Sequence, residues 1–254
     1  MTTRVAVNIG NSRISCGIYV DNQLVDLSHH ISSNAQKAAT DLAQKAEAIK
    51  AAEIAVCSVV PAVARTLMDY FRERKVNASQ IKAETQNVIK GVYSSLGVDR
   101  IANVAAAWKL HVRTHAAVVL DMGTATTLTA VSPQGEFLGG MITLGLGRTY
   151  ATLHDSTAQL PDLQFDSQGR VPNPLAKDTE SAIASGCILA HVGLLETWVK
   201  ETRQALDHKC TIIATGGFAN AVAPYTKVFD HVDQNLTMHG INIIAEAAAV
   251  REGR

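Results

Sequence analysis

The chain carries one 21-residue pattern twice. "VAVNIGNSRISCGIYVDNQLV" starts at Val5 and "VVLDMGTATTLTAVSPQGEFL" at Val118, and the two align without a gap at an offset of 113 residues. Each copy reads as a short apolar strand, a glycine turn bearing small polar side chains, an alternating strand, and a second polar turn that leads into a third strand. "DN" at 21–22 and "PQG" at 133–135 are hairpin signals at equivalent places. A chain of 254 residues has room for two domains of roughly 100–130 residues each. The repeat therefore predicts one ancestral domain duplicated, each copy opening with a β-meander. The expected boundary lies near 113–116, giving domains 1–113 and 114–254.

The remaining elements make both halves α/β. Ser33 and Gln36 form a capping-box pattern ahead of a helix with Ala39, Leu42, Ala46 and Ile49 on one face. "AEIAVCSVV" at 52–60 reads as a buried strand, and Pro61 then opens a helix carrying Val63, Leu67, Tyr70 and Phe71. Asp99 stands at the start of a helix with Ile101, Val104, Ala105, Trp108 and Val112 on its apolar side. A long helical stretch begins at Thr179; "CTIIAT" is a strand, Gly216–Gly217 a tight turn, and "INIIAEAAAVREG" a closing helix.

Composition removes several classes of function. With 23 basic and 23 acidic residues and no long basic run, a nucleic-acid groove or an anionic-membrane surface has no support. The apolar runs fall short of the ~18 residues that cross a bilayer, and no apolar signal core precedes the first polar turn, so a cytoplasmic protein is expected. Cys16, Cys57, Cys187 and Cys210 form no C-x-x-C pair and read as free thiols. "HKC" at 208–210 offers two metal ligands where zinc takes three or four, so it reads as a surface loop.

Two glycine turns at the ends of duplicated strands point toward phosphate. Glycine admits a close ligand, and turn N–H groups can cup anionic oxygens. An aspartate at the strand end can hold Mg²⁺ directly or through water. Facing turns would then grip a nucleotide in a cleft; the plainer reading of each is an ordinary β-turn. The pattern becomes specific at "SLGVDRIANVAAAW", residues 95–108. With "CSVVP", "DMGTATT", "GGMITLGLG", "TAQLP", "TGG" and "NLTMHGI" in that order, it resembles the type III pantothenate kinases. These belong to the superfamily of acetate and sugar kinases, heat-shock ATPases and actin. The resemblance covers nearly the whole chain and implies two actin-like (ribonuclease H-like) domains with a nucleotide cleft.

That resemblance also implies an activity: transfer of the ATP γ-phosphate to the hydroxymethyl oxygen of pantothenate, the first step toward coenzyme A. It assigns Asp99 as the base, against the alternative of a helix N-cap, and Arg100 to the substrate carboxylate, against a surface ion pair. Tyr93, Gly97 and Val98 would line the pantothenate pocket. Thr179 would reach it across a homodimer interface, or else cap its own helix. Asn8, Gly10, Asn11, Ser12, Gly123, Thr124 and Thr126 would bind ATP phosphates, and Thr215, Gly216 and Gly217 the nucleoside side. Asp121 would serve a monovalent cation, K⁺ or NH₄⁺, beside the Mg²⁺ that accompanies ATP.

The first turn departs from the family pattern Asp-x-Gly-Asn-Thr: it reads "NIGNS". Ser12 keeps the hydroxyl, whereas Asn8 keeps an oxygen but loses the charge. Leu144 replaces the usual proline after "GGMIT". An active kinase with a high demand for Mg²⁺ and ATP is expected. A silent relative that binds nucleotide or pantothenate and acts through a partner is the alternative, and another small-molecule kinase of the superfamily is a third reading.

Overall fold

A computed structural model describes residues 2–31, 34–112, 114–165, 172–251 and 253. They form two compact units, each built on a five-stranded sheet. The first sheet holds β1 (Thr3–Ile9), β2 (Arg13–Val20), β3 (Gln23–Ile31), β4 (Glu53–Ser58) and β5 (Ala78–Gln80). The second holds β6 (Ala116–Met122), β7 (Ala125–Val131), β8 (Phe137–Leu144), β9 (Cys210–Thr215) and β10 (His231–Val232). Their spatial orders are β3-β2-β1-β4-β5 and β8-β7-β6-β9-β10. In each, the central strand pairs antiparallel with the strand that follows it and is extended on its other side by two parallel strands. The strand orders match throughout, so the duplication legible in the meanders extends to the whole sheet.

The strand pairing adds one detail. Ile9 faces Ile14 across the first turn, whereas Met122 faces Thr126 across the second. The first loop is thus one residue longer, a difference the ungapped alignment hides. At the hairpins, Asp21 and Asn22 both take positive φ (46° and 66°), and Gly135 takes 76°, as the predicted turns require.

In the first unit, strand alternation sorts the side chains. Val5, Val7, Ile9, Ile54 and Val56 share a core with α1 (Ala35–Ala48) and α2 (Pro61–Glu73). Arg4, Ala6, Asn8 and Cys57 point to the other face, which α3 (Val98–Ala106) and α7 (Leu236–Arg251) cover. Pro61 is the first residue of α2, as expected. Ser33 of the expected capping box lies outside the described residues; α1 begins after Asn34, which makes no side-chain cap bond. The helix after Asp99 ends earlier than its apolar pattern, passing into a π-helical turn over Ala107–His111.

The compact units do not follow a single cut at 113–114. Residues 235–254 and the hairpin tip 134–137 belong with the first unit. Polar bonds show why. Arg4 Nη1 donates to Asn242 Oδ1 (2.7 Å), Asn22 Nδ2 to Glu246 Oε1 (2.7 Å), and Thr237 Oγ1 to Asn103 Oδ1 (2.7 Å). Gly240 lies so close to Ala102 that a Cβ would overlap its backbone carbonyl. The C-terminal helix is therefore bolted to the first sheet and to α3.

In the second unit, Val118, Leu120, Met122, Ile212 and Ala214 pack against α4 (Leu146–Asp155), α5 (Thr179–Ala205) and α6 (Ala219–Val222). Among the described residues only α5 has the length and composition of a membrane span. Its Cys187, Ile188, Val192, Leu195 and Val199, however, are buried in this core. All four cysteines are free.

Gly240→Ala should destabilise the protein by about 1–3 kcal/mol, the usual cost of overpacking a tight contact. Denaturant unfolding with an unchanged slope would measure it.

Candidate active site

In the first unit the predicted residues gather at the C-terminal ends of β1 and β4. Asn8 is in register with Ser15 on β2 and Cys57 on β4. Its Oδ1 is buried and has no hydrogen-bond partner. An unsatisfied buried acceptor costs about 1–3 kcal/mol, and the amide oxygen is chemically suited to accept a hydrogen bond from a metal-bound water. Gly10, Asn11 and Ser12 form the following turn, with Asn11 and Ser12 exposed. The turn closes through Gly10 N–H to Arg13 O at 3.0 Å, so the glycine amide is committed to the hairpin rather than to a ligand.

Asp99 is the second residue of α3, and Gly97 occupies the N-cap position. The carboxylate still serves the helix end: its Oδ1 accepts the Arg100 N–H at 2.8 Å. The glycine two residues earlier has a steric reason, since a Cβ on Gly97 would stand 2.6 Å from Asp99 Oδ1. Burial pushes the Asp99 carboxyl above its ordinary value, and the Arg100 N–H and charge offset part of the rise. Cys57, a residue that sequence reasoning did not select, lies in the field of Asp99: burial first, and then that charge, hold its thiol well above its usual range. Strand alternation from Asn8 through the parallel pair was the available signal.

Arg100 is 6 % exposed, which removes the surface ion pair as its explanation. Tyr93 is 48 % exposed and sets its ring edge-on to Phe137, with centroids 5.7 Å apart. Val98 is the first residue of α3 and half-buried.

In the second unit, Asp121 pairs in register with Thr127 on β7 and Thr215 on β9. Here too the turn glycine closes its own hairpin, Gly123 N–H to Ala125 O at 3.1 Å. Gly145, not selected from the sequence, packs so tightly on this turn that a Cβ would overlap the carbonyls of Gly123 and Thr124. Gly216 has φ +92°, and a Cβ there would collide with Asp121 Oδ1 and the Met122 backbone. Thr215 is buried, while Gly217 is exposed. Asp121, Gly123, Thr124 and the Gly216 turn therefore form one contiguous patch.

Two expectations change. Thr126 is fully buried, with its hydroxyl 3.2 Å from His191 Nε2 on α5, so its side chain is engaged in the core. Thr179 does not cap α5, because Asp178 does, accepting the Ser181 N–H at 2.8 Å. Thr179 is exposed in the first turn. Leu144, at the end of β8, is 47 % exposed.

No cluster of three or more His, Cys, Asp or Glu side chains suited to a metal occurs among the described residues. Mg²⁺ commonly keeps several waters and binds through one or two carboxylates plus substrate phosphates. Taken singly, the Asp121 carboxylate in the second unit and the Asn8 amide oxygen in the first are each chemically suited to accept from a metal-bound water.

The family model for type III pantothenate kinase matches residues 4–201. The chain belongs to this family. A type III pantothenate kinase from Dehalococcoides mccartyi is 32 % identical over 259 residues, covering 94 % of each chain. Among solved structures, a Campylobacter jejuni protein described as a member of the Baf family superposes with a TM-score of 0.63 at 20 % identity, over 96 % of this chain and 98 % of that one. The polyphosphate/ATP-glucomannokinase of Arthrobacter sp. strain KM gives 0.56 at 14 % identity, over 97 % and 100 %. At these identities the two structures establish the fold alone: two duplicated actin-like domains. In this chain, Gly97 and Asp99 are a steric pair in the Gly-x-Asp-Arg segment, and the close approach to Ala102 accounts for Gly240 in "NLTMHGI".

Gly216→Ala should weaken ATP binding at least tenfold, because the chain must shift away from Asp121. Titration calorimetry with a non-hydrolysable ATP analogue reads the change, and circular dichroism verifies the fold.

Proposed function

We propose that this chain phosphorylates pantothenate with ATP, giving 4′-phosphopantothenate, in the cytoplasm. The observation that carries the reading is the Asp99 carboxylate. Oδ1 is occupied by the Arg100 N–H, which leaves Oδ2 to accept the proton of the pantothenate hydroxyl. The hydroxyl oxygen bonds to the γ-phosphorus as the bond to the bridging β-γ oxygen breaks, and ADP leaves. The transition state is loose, so the base chiefly orients the nucleophile.

Arg100 supplies a planar fork suited to the pantothenate carboxylate, with Tyr93, Gly97 and Val98 beside it. The Gly10–Ser12 and Gly123–Thr124 turns take the phosphates, and Thr215, Gly216 and Gly217 the nucleoside. The exposed Thr179 belongs to the pocket of the partner protomer in a homodimer. Asp121 would hold a monovalent cation, K⁺ or NH₄⁺. When bound with ATP, Mg²⁺ supplies charge neutralisation, and the orphaned Asn8 oxygen receives one of its waters.

Asn8 sets the rate. A carboxylate there would attract Mg²⁺ through one water by several kcal/mol at an effective dielectric near ~20, part of it offset by desolvation. A net loss of ~2–3 kcal/mol corresponds to about 30- to 150-fold in turnover. In a coupled ADP-release assay with K⁺, turnover should require pantothenate, rise with Mg²⁺, and improve in Asn8→Asp. No turnover in either folded protein would leave the partner-dependent binding role.

A pH profile tests the base. Because burial raises the Asp99 pKa, its basic form is lost as pH falls through a value above that of an ordinary aspartate. The acid limb of kcat/KM should sit correspondingly high. Asp99→Asn should reduce kcat by about 10²–10⁴ and abolish that limb.

A further inference from the structure

The first unit has a cavity of ≈ 700 Å³ between α1, α2, the turns that follow them and the start of β4, lined by residues that serve none of the site roles above. Its origin is compositional. Ala43 and Ala46, together with Ile54, are buried on its floor. Alanine side chains cannot fill the wedge between two helices, so a trough remains. Ile54 lies near the start of β4, four residues before Ser58 at its other end. At ~3.3 Å per residue that is about 13 Å along the strand, and Cys57, about 10 Å from Ile54, points to the opposite face of the sheet.

Three cations stand on its rim: Lys50, Arg74 and Lys75. No carboxylate lies within ion-pairing distance of any of them among the described residues. Glu47, also on the rim, pairs with none of the three. The Arg74 guanidinium lies over the Tyr70 ring at 5.0 Å, a stacking that holds its donor fork in place.

The two lysines occupy unusual backbone. Lys50 and Lys75 have φ of 51° and 55° and follow the C-termini of α1 and α2 in matching turns. In each, the next residue closes back five positions, Ala51 N–H to Ala46 O (2.8 Å) and Val76 N–H to Phe71 O (2.9 Å). Glycine is the residue this conformation favours. Both turns instead carry a cation, and both cations face one cavity. Attraction to the helix dipoles explains a lysine at either end separately, but not the Arg74 stacked on Tyr70 at the trough that all three cations share.

We propose that this cavity binds a small phosphomonoester. Its phosphate would sit among Lys50, Arg74 and Lys75, and its organic body on the alanine floor beside Tyr70. This site is independent of the kinase reading.

Phenyl phosphate is a suitable probe, with phenol as its uncharged control, followed by amide NMR shifts of the full chain. Phenyl phosphate should shift Gln44, Lys50 and Arg74–Asn77 saturably at millimolar concentration or below, and phenol should not. Lys50→Gly/Lys75→Gly should bind at least tenfold more weakly while its thermal midpoint stays equal or rises, because glycine relieves both turns. Arg74→Gln should also weaken binding, as an independent variant. Shifts that never saturate, or that vanish equally for every amide on raising salt, would mean diffuse charge attraction and overturn the site. So would undiminished affinity in the double glycine variant.

Discussion

In each unit, the parallel pairing between the first strand of the meander and the strand that follows the first helical excursion fixes everything downstream. Asn8 against Cys57 and Asp121 against Thr215 are the last pairs but one or the last pair of their ladders. They set the ends of the central strands side by side. The glycine turns, the Ser58–Pro61 entry to α2 and the Gly216–Gly217 entry to α6 all leave from those ends. Ligands in open α/β sheets collect at the carboxyl ends of parallel strands, where loops diverge. The arrangement here places a polar strand-end residue beside a glycine turn twice.

The helix bearing Asp99 is held by a different set of forces. α7 reaches α3 through a backbone approach that only Gly240 permits and through the Thr237–Asn103 bond, while Arg4, Asn22 and Asn242 tie α7 to the sheet. These contacts cross more than a hundred residues of sequence. A shift of α3 would move Asp99 relative to Cys57 and Asn8, so residues distant in the sequence position the proposed base. The local counterpart is Gly97, whose missing Cβ leaves room for the carboxylate.

The strand-end asymmetry between Asn8 and Asp121 has a physical consequence. Asp121 has interactions of its own, whereas the Asn8 oxygen is buried without a partner. A neutral amide loses less than a carboxylate would on burial, so the orphaned oxygen costs this chain less than an unpaired aspartate there would.

The sequence alone determined the repeat, the two meanders, the glycine turns and most helix starts. These depend on period-2 alternation, turn chemistry and Pro61, all of which act within a few residues. It also carried the family, through short motifs in fixed order. Tertiary structure decided what depends on partners distant in the chain. It joined α7 to the first unit, turned Thr126 inward to His191, gave the cap of α5 to Asp178 in place of Thr179, and set Cys57 in the field of Asp99. It also made Gly145 and Gly216 obligatory, because steric room depends on what packs opposite. The trough beneath Lys50 and Lys75 is of the same kind: small side chains are visible in the sequence, but the space they leave exists only once two helices have packed.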